Sequence, residues 1–158
     1  MTQLIIGKDE AIAAWVRSKI PDMAGDDFGP CVAIGMASDD GKKLWGGIVY
    51  HSYSPGLGLA MFTLASIHPR WATRETIRRL LAVPFRQYNV RKLSAAIACD
   101  NERSLKLARG LGFKMEARLR HQFGDKRHGE VWSMMRTEFE AKWGREDSWT
   151  KLHRARAA

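Results

Sequence analysis

The sequence predicts a single mixed α/β (α+β) domain, and three observations predict it. Short, continuously apolar runs bounded by turn residues fill the first half, at 31–37, 44–50 and 59–67. Helical spacing of apolar residues dominates beyond residue 70, at Ile77, Leu80 and Leu81 and again at Leu105, Ala108 and Leu111. The strand–helix–strand stretch over 59–99 has the length of a parallel crossover, a unit that is right-handed in nearly all cases.

Residues 4–6 form a short apolar start, read as an edge strand. Ile12, Trp15, Val16 and Ile20 fall at i, i+3, i+4 and i+8, an amphipathic helix. Asp9 and Glu10 lie in its first turn, where the helix dipole favours them, and Pro21 stops it. Residues 22–29 are polar and contain glycine, a loop. Residues 31–37 suit a strand buried on both faces, Asp39-Asp40-Gly41 a hairpin turn, and Ser54-Pro55-Gly56 a second turn before the 59–67 strand. Thr73 is placed to cap the next helix and Pro84 to stop it. A buried strand at 93–99 leads to Asn101, the cap of a third helix. Gly112 then supplies the positive φ that a helix end requires, with Phe113 packing back on the last turn. Phe113, Met115, Ala117 and Leu119 alternate with charged residues, a strand with one wet face. A polar loop at 121–129 precedes a last strand at 131–135, where Met134 and Met135 read as core filler. The order is β-α-β-β-β-α-β-α-β-β over residues 1–138. Residues 139–158 read as a basic tail, helical or frayed, holding Trp143 and Trp149.

Composition narrows the class further. Hydrophobic residues make up 45% of the 158, enough for a core and too many for a disordered chain. No apolar run reaches the roughly 18 residues that span a bilayer, so no membrane contact is expected. The first ten residues lack the basic head and long apolar run of a signal peptide, and Cys31 and Cys99 sit in apolar stretches as buried free thiols. A reducing, cytoplasmic location follows as the expectation. There is no Cys-x-x-Cys, and the five histidines lack metal-ligand spacing, so no metal is expected. Residues 1–66 hold five basic and seven acidic residues, whereas residues 67–158 hold 21 and 10. A basic half calls for nucleic acid, a phosphate-rich cofactor or an acidic protein surface, or is simply a solvated face.

The stretch Asn101-Glu102-Arg103-Ser104, followed by Leu111-Gly112-Phe113-Lys114-Met115-Glu116-Ala117-Arg118-Leu119-Arg120, resembles a known pattern. It is Asn-x-x-Ser…Leu-Gly-Phe-x-x-Glu-Gly-x-x-Arg of the GNAT N-acyltransferases, in the branch that acetylates N-termini of ribosomal proteins. Ala117 stands where that branch has Gly. Phe28-Gly29-Pro30-Cys31, Val49-Tyr50-His51 and the run from Pro69 to Arg74 resemble GNAT proteins carried by phages and prophages. The likeness covers about residues 1–138.

The resemblance implies a mostly antiparallel sheet whose two central strands, 59–67 and 93–99, splay apart to admit acetyl-coenzyme A as cosubstrate. It implies that Ile67, Arg70, Trp71, Ala72, Thr73, Arg74 and Glu75 cradle the pyrophosphate, by backbone N–H groups at a helix start and by two arginines. The family loop carries Gln/Arg-x-x-Gly-x-Gly/Ala; here the arginine is present and both glycines are missing. Asn101, Ser104 and Arg109 are the implied contacts on the next helix, with Ser104 bonding the leaving thiolate. A backbone N–H near Thr63 to Ala65 is the implied oxyanion donor. The family's tyrosine acid falls on Ala108, and a thiolate of pKa ~8.5 leaves without one. His51 is the preferred base, with His68, His121 and Glu116 as further candidates. The acceptor is a primary amine: a protein N-terminus, a lysine, a small amine or an aminoacylated RNA. The resemblance also implies a homodimer paired through an edge strand such as the last one. The rival class is a nucleic-acid-binding module that keeps the fold and lacks catalysis, or an acyltransferase whose basic half holds an RNA- or DNA-borne amine.

Overall fold

The computed structural model describes residues 1–23 and 25–144. The elements are β1 (Gln3–Ile5), α1 (Asp9–Ser18), β2 (Val32–Ala37), β3 (Leu44–Ser54), β4 (Leu59–Ser66), α2 (Arg74–Ala82), β5 (Lys92–Ala98), α3 (Glu102–Leu111), β6 (Lys114–Leu119), β7 (Gly129–Met135) and α4 (Arg136–Trp143). The strands form one sheet in the order β1-β2-β3-β4-β5-β7-β6. Among the described strands only β4 and β5 pair in parallel, and α2 makes the crossover between them. The architecture is the mixed, mostly antiparallel sheet that the sequence predicts.

Alternation along the strands divides the core in two. Ile34, Met36, Ile48, Tyr50, Leu93, Ala95 and Ile97 share one buried cluster with residues of α2, α3 and α4. Ala33, Val49 and Ala65 face the other way and pack on Ile12 and Val16 of α1. Gly47 lets α1 approach closely, since a Cβ there would lie 2.6 Å from Val16 Cγ2. The predicted caps form: Thr73 accepts from the Thr76 N–H and Asn101 from the Ser104 N–H. Gly112 ends α3 at φ +99°, and the buried Phe113 returns its N–H to Ala108 O at 3.0 Å.

Several expectations are corrected. Pro84 does not end the helical path; Val83–Gln87 continues it as a π-turn, which absorbs the proline ring and the missing N–H. The last strand in sequence, β7, is interior, and the edge is β6. β6 is the edge strand and five of its six residues are exposed, Met115 at 52%, so the expected dry face does not exist. Met134 is buried, but Met135 begins the turn into α4 and is exposed. Cys31 and Cys99 are free and partly exposed rather than buried. The boundary placed at 138 falls inside α4, whose Phe139 is 0% and Trp143 5% exposed. Trp149 and the rest of the expected tail lie outside the described residues.

Because Phe139 stacks on Phe85 with ring centroids 5.0 Å apart, α4 is part of the core. Phe139→Ala is expected to lower unfolding free energy by about 3–5 kcal/mol, measured by urea denaturation.

Candidate active site

The site begins with an interrupted ladder. β4 and β5 pair only at Leu59–Lys92, Ala60–Leu93 and Met61–Ser94. β4 runs on to Ser66, still paired with β3, and β5 runs on to Ala98, still paired with β7. Each strand stays backed on its outer side while the inner sides part, so the backbone edge from Phe62 to Ser66 has no strand partner in β5. The central strands are splayed, as the resemblance implied. A cleft of about 710 Å³ lies at the open end. Leu64–Ile67, Pro69, Trp71 and Ala72 line it from β4 and its following turn; Asn101 and Ser104 line it from α3. Lys19–Asp22, at the end of α1, line it from the opposite face of the sheet, with Arg127 from the hairpin loop between β6 and β7. The cleft is therefore open to both faces.

The predicted residues divide. Ile67, Trp71, Ala72, Asn101 and Ser104 meet in the cleft. Trp71 is only 3% exposed and sits in the core cluster, so its ring is a wall and not a free stacking platform. Arg70, Thr73, Arg74, Glu75 and Arg109 are not among the lining residues. Arg74 lays its guanidinium over the Trp143 ring at 4.8 Å and donates to Lys142 O at 3.3 Å. Glu75 holds Arg78 at 3.1 Å, and Arg109 lies over Trp132 at 5.5 Å. Thr73 spends its hydroxyl on Thr76, and Arg70 offers its backbone N–H to His68 Nδ1 at 3.2 Å. The missing glycines have a structural counterpart. Pro69–Trp71 is a 3₁₀ turn, and no residue from 68 to 75 has positive φ, so the path requires none.

None of the four candidate bases lines the cleft. His68 stacks on Trp45 at 4.7 Å, His121 pairs with Asp125 at 3.3 Å, and Glu116 holds Lys92 at 3.1 Å. His51 borders a separate apolar cavity of about 250 Å³ at the closed end of the strand pair, and its Nε2 lies 3.0 Å from Thr63 Oγ1. Burial pushes its pKa below the ordinary imidazole value.

Sequence reasoning missed Lys19, Arg103, Lys106 and Arg127. Arg103 and Lys106 flank Ser104 in the motif itself, and their spacing of three is the signal that was available. Arg103 reaches across the opening to Ser66 Oγ at 3.4 Å. Arg127 binds both Asp100 oxygens, at 2.8 and 3.0 Å, and also Asp22. That guanidinium holds the Asp100 carboxyl below the usual range. It ties the end of α1 and the start of α3 to the hairpin loop, which no local pattern announces.

With this geometry established, comparison with solved structures gives the fold its class. A structure of mutant forms of the spermidine/spermine N-acetyltransferase SpeG from Vibrio cholerae aligns at TM-score 0.73, covering 90% of this chain and 99% of that one at 13% identity. A structure of SpeG in complex with manganese ions aligns at 0.70, over 89% and 96% at 14% identity. The fold is the GNAT fold of the acetyltransferases. No protein-family model and no curated protein matches the chain.

Two measurements follow. Arg74→Ala is expected to cost roughly 0.5–1 kcal/mol of stability, the worth of an exposed cation–π contact, read by urea denaturation. His51 binds its proton less readily folded than unfolded, so stability rises with pH through the window below the ordinary value of 6.5 and levels off above it. His51→Gln is expected to flatten that rise in denaturation curves collected across the same window.

Proposed function

We propose that the protein is an N-acyltransferase that moves an acetyl group from acetyl-coenzyme A to a primary amine by direct attack in a ternary complex. The single observation that carries the reading is the parting of β4 from β5 after three residue pairs. The unpaired edge from Phe62 to Ser66 offers backbone donors and acceptors to a slender amide-bearing arm, and to the oxyanion that forms when the thioester carbon is attacked. α2 begins two residues past Ala72, after its cap Thr73. Its Arg74 and Glu75 N–H groups precede the capped Thr76 N–H and lie outside the helix's own bonding, suited to a pyrophosphate. Arg103 and Lys106 add positive charge on the opposite wall. Asn101 caps α3 and faces the arm; Ser104 faces the leaving sulfur.

The 101–120 motif favours the branch of the fold that acetylates protein N-termini, and the cleft's charge agrees. Arg127 is spent on Asp22 and Asp100, which leaves Lys19, Arg103 and Lys106 as the positive charge of the cleft lining. SpeG acts on spermidine and spermine; like charges disfavour such polycations here, whereas a single α-amine of pKa ~8 is partly neutral at physiological pH. The nucleic-acid-binding alternative draws less support. Arg78, Arg86, Lys92, Lys114 and Arg127 all face carboxylates, which reduces the free charge of the basic half.

Calorimetric titration with acetyl-coenzyme A tests the reading. Binding is expected, and Arg103→Ala and Lys106→Ala are each expected to weaken it at least about tenfold, the worth of one charge-assisted contact. Absence of heat at millimolar acetyl-coenzyme A sinks it.

A further inference from the structure

We propose that Thr63, held by His51, is the group that takes the proton from the attacking amine; the proposal rests on the acyltransferase reading above. Thr63 is the second residue past Met61, the last β4 residue paired with β5, so it sits where the gap opens. It pairs across to Val49 of β3, and His51, paired with Met61, is its diagonal neighbour. Strand alternation puts Thr63 and His51 on the face of Val49 and Ala65, which is the face that carries α1. The cleft opens onto that face at the end of α1, while Asn101 and Ser104 stand on the other. The cleft lining begins at Leu64, one residue beyond Thr63, so a donor held along α2 and α3 and an amine arriving from the α1 side meet on β4 next to Thr63.

The imidazole is built into place. Its Nε2 lies 3.0 Å from Thr63 Oγ1 and its Nδ1 2.9 Å from Ser52 Oγ. The Phe28 ring stands 5.3 Å from it. The β3–β4 ladder shifts register between His51 and Ser54, and Ser52 has φ +52°, a left-handed conformation rare for serine. Such bulges re-aim side chains beside functional sites. With the Nδ1 proton donated to Ser52, Nε2 accepts from the Thr63 hydroxyl, giving a hydroxyl–imidazole–hydroxyl chain that ends at the parted edge. Other ionisable groups on the neighbouring elements are otherwise engaged or remote in pKa. Asp9 of α1 takes the Ala33 N–H at 2.8 Å, and Asp27 takes the Gly29 N–H at 2.8 Å. Burial raises the Cys31 thiol and the Tyr50 phenol; the phenols of Tyr53 and Tyr88 meet each other, edge to face. β4 carries no carboxylate at all.

The step balances as follows. The amine nitrogen bonds to the acyl carbon and its proton passes to Thr63 Oγ1 as the Thr63 proton passes to His51 Nε2. The tetrahedral intermediate collapses with cleavage of the C–S bond, and the thiolate takes up one proton as the imidazolium returns one to the site. Thr63 is then a catalytic residue and His51 a positioning residue that acts through it.

The test is thiol release from acetyl-coenzyme A, with three acceptors in parallel: a short peptide bearing a free α-amine, spermidine, and water alone. Thr63→Val, nearly isosteric, is expected to lower turnover about 100-fold with acetyl-coenzyme A affinity unchanged. Thr63→Ser, which restores the hydroxyl, is expected to recover most of that loss. His51→Gln is expected to match the Thr63→Val loss and to remove the imidazole inflection of the pH–rate profile, which in the parent lies below the ordinary imidazole value, leaving only the fall that protonation of the acceptor amine imposes. Full turnover by Thr63→Val overturns the proposal, as does an imidazole inflection below that of the amine that survives in His51→Gln. A parent that binds acetyl-coenzyme A by calorimetry but releases thiol to none of the acceptors also overturns it. A parent that fails to bind acetyl-coenzyme A overturns the acyltransferase reading itself, and this proposal with it.

Discussion

The three-pair contact between β4 and β5 is the constraint on which the rest of the molecule depends. Two parallel strands end on the same side of a sheet, so the helices that follow them start there too. Here α2 and α3 both follow strands that end at the open end of the gap, so the positive ends of both helix dipoles lie on that side of the sheet. An antiparallel pair in the same place would bring one helix start and one helix end, and the field would largely cancel. The gap stays open because β3 holds β4 through Ser66 and β7 holds β5 through Ala98. Neither strand has to give up its outer ladder to leave its inner edge free.

That opening needs a brace, and α4 supplies it. Trp143 Nε1 donates to Leu111 O at 2.9 Å and Lys142 Nζ to Gly110 O at 2.8 Å, fixing the end of α3. The Arg74 guanidinium on Trp143 fixes the start of α2 to the same short helix. Two helices that flank the cleft are thus held to one another by a third that lies outside it. On the opposite face, Arg127 plays a comparable part between Asp22 and Asp100. Basic residues of the second half therefore serve two purposes. Some are structural ties to rings, carbonyls and carboxylates, while Arg103 and Lys106 stand on the cleft wall as positive charge.

The acid–base chemistry follows from the same geometry. A strand without carboxylates presents its functional groups through the backbone and through two hydroxyls, Thr63 and Ser66, and Ser66 faces Arg103. An imidazole at the next strand position, driven toward its neutral form by burial, is the group within 3.0 Å of the Thr63 hydroxyl. The register shift beyond His51 and the left-handed Ser52 are the local distortion that accompanies this arrangement.

Sequence by itself determined most of the elements and the caps of α2 and α3. Thr73, Asn101 and Gly112 act as predicted because capping concerns backbone groups three or four residues away. Apolar runs became strands, and the 59–99 stretch became the one parallel crossover, because periodicity and loop length are properties of contiguous chain. What only the tertiary structure decided is where long side chains end. Arg74 was expected on a phosphate and lies on Trp143; Arg109 was expected in the cleft and lies on Trp132. The dry face expected of residues 113–119 vanished because β7, and not β6, took the interior position. A flexible cation settles on whichever ring or carboxylate packing brings within reach, and for Arg74 that partner stands nearly 70 positions further along the chain. No local pattern carries information across that distance.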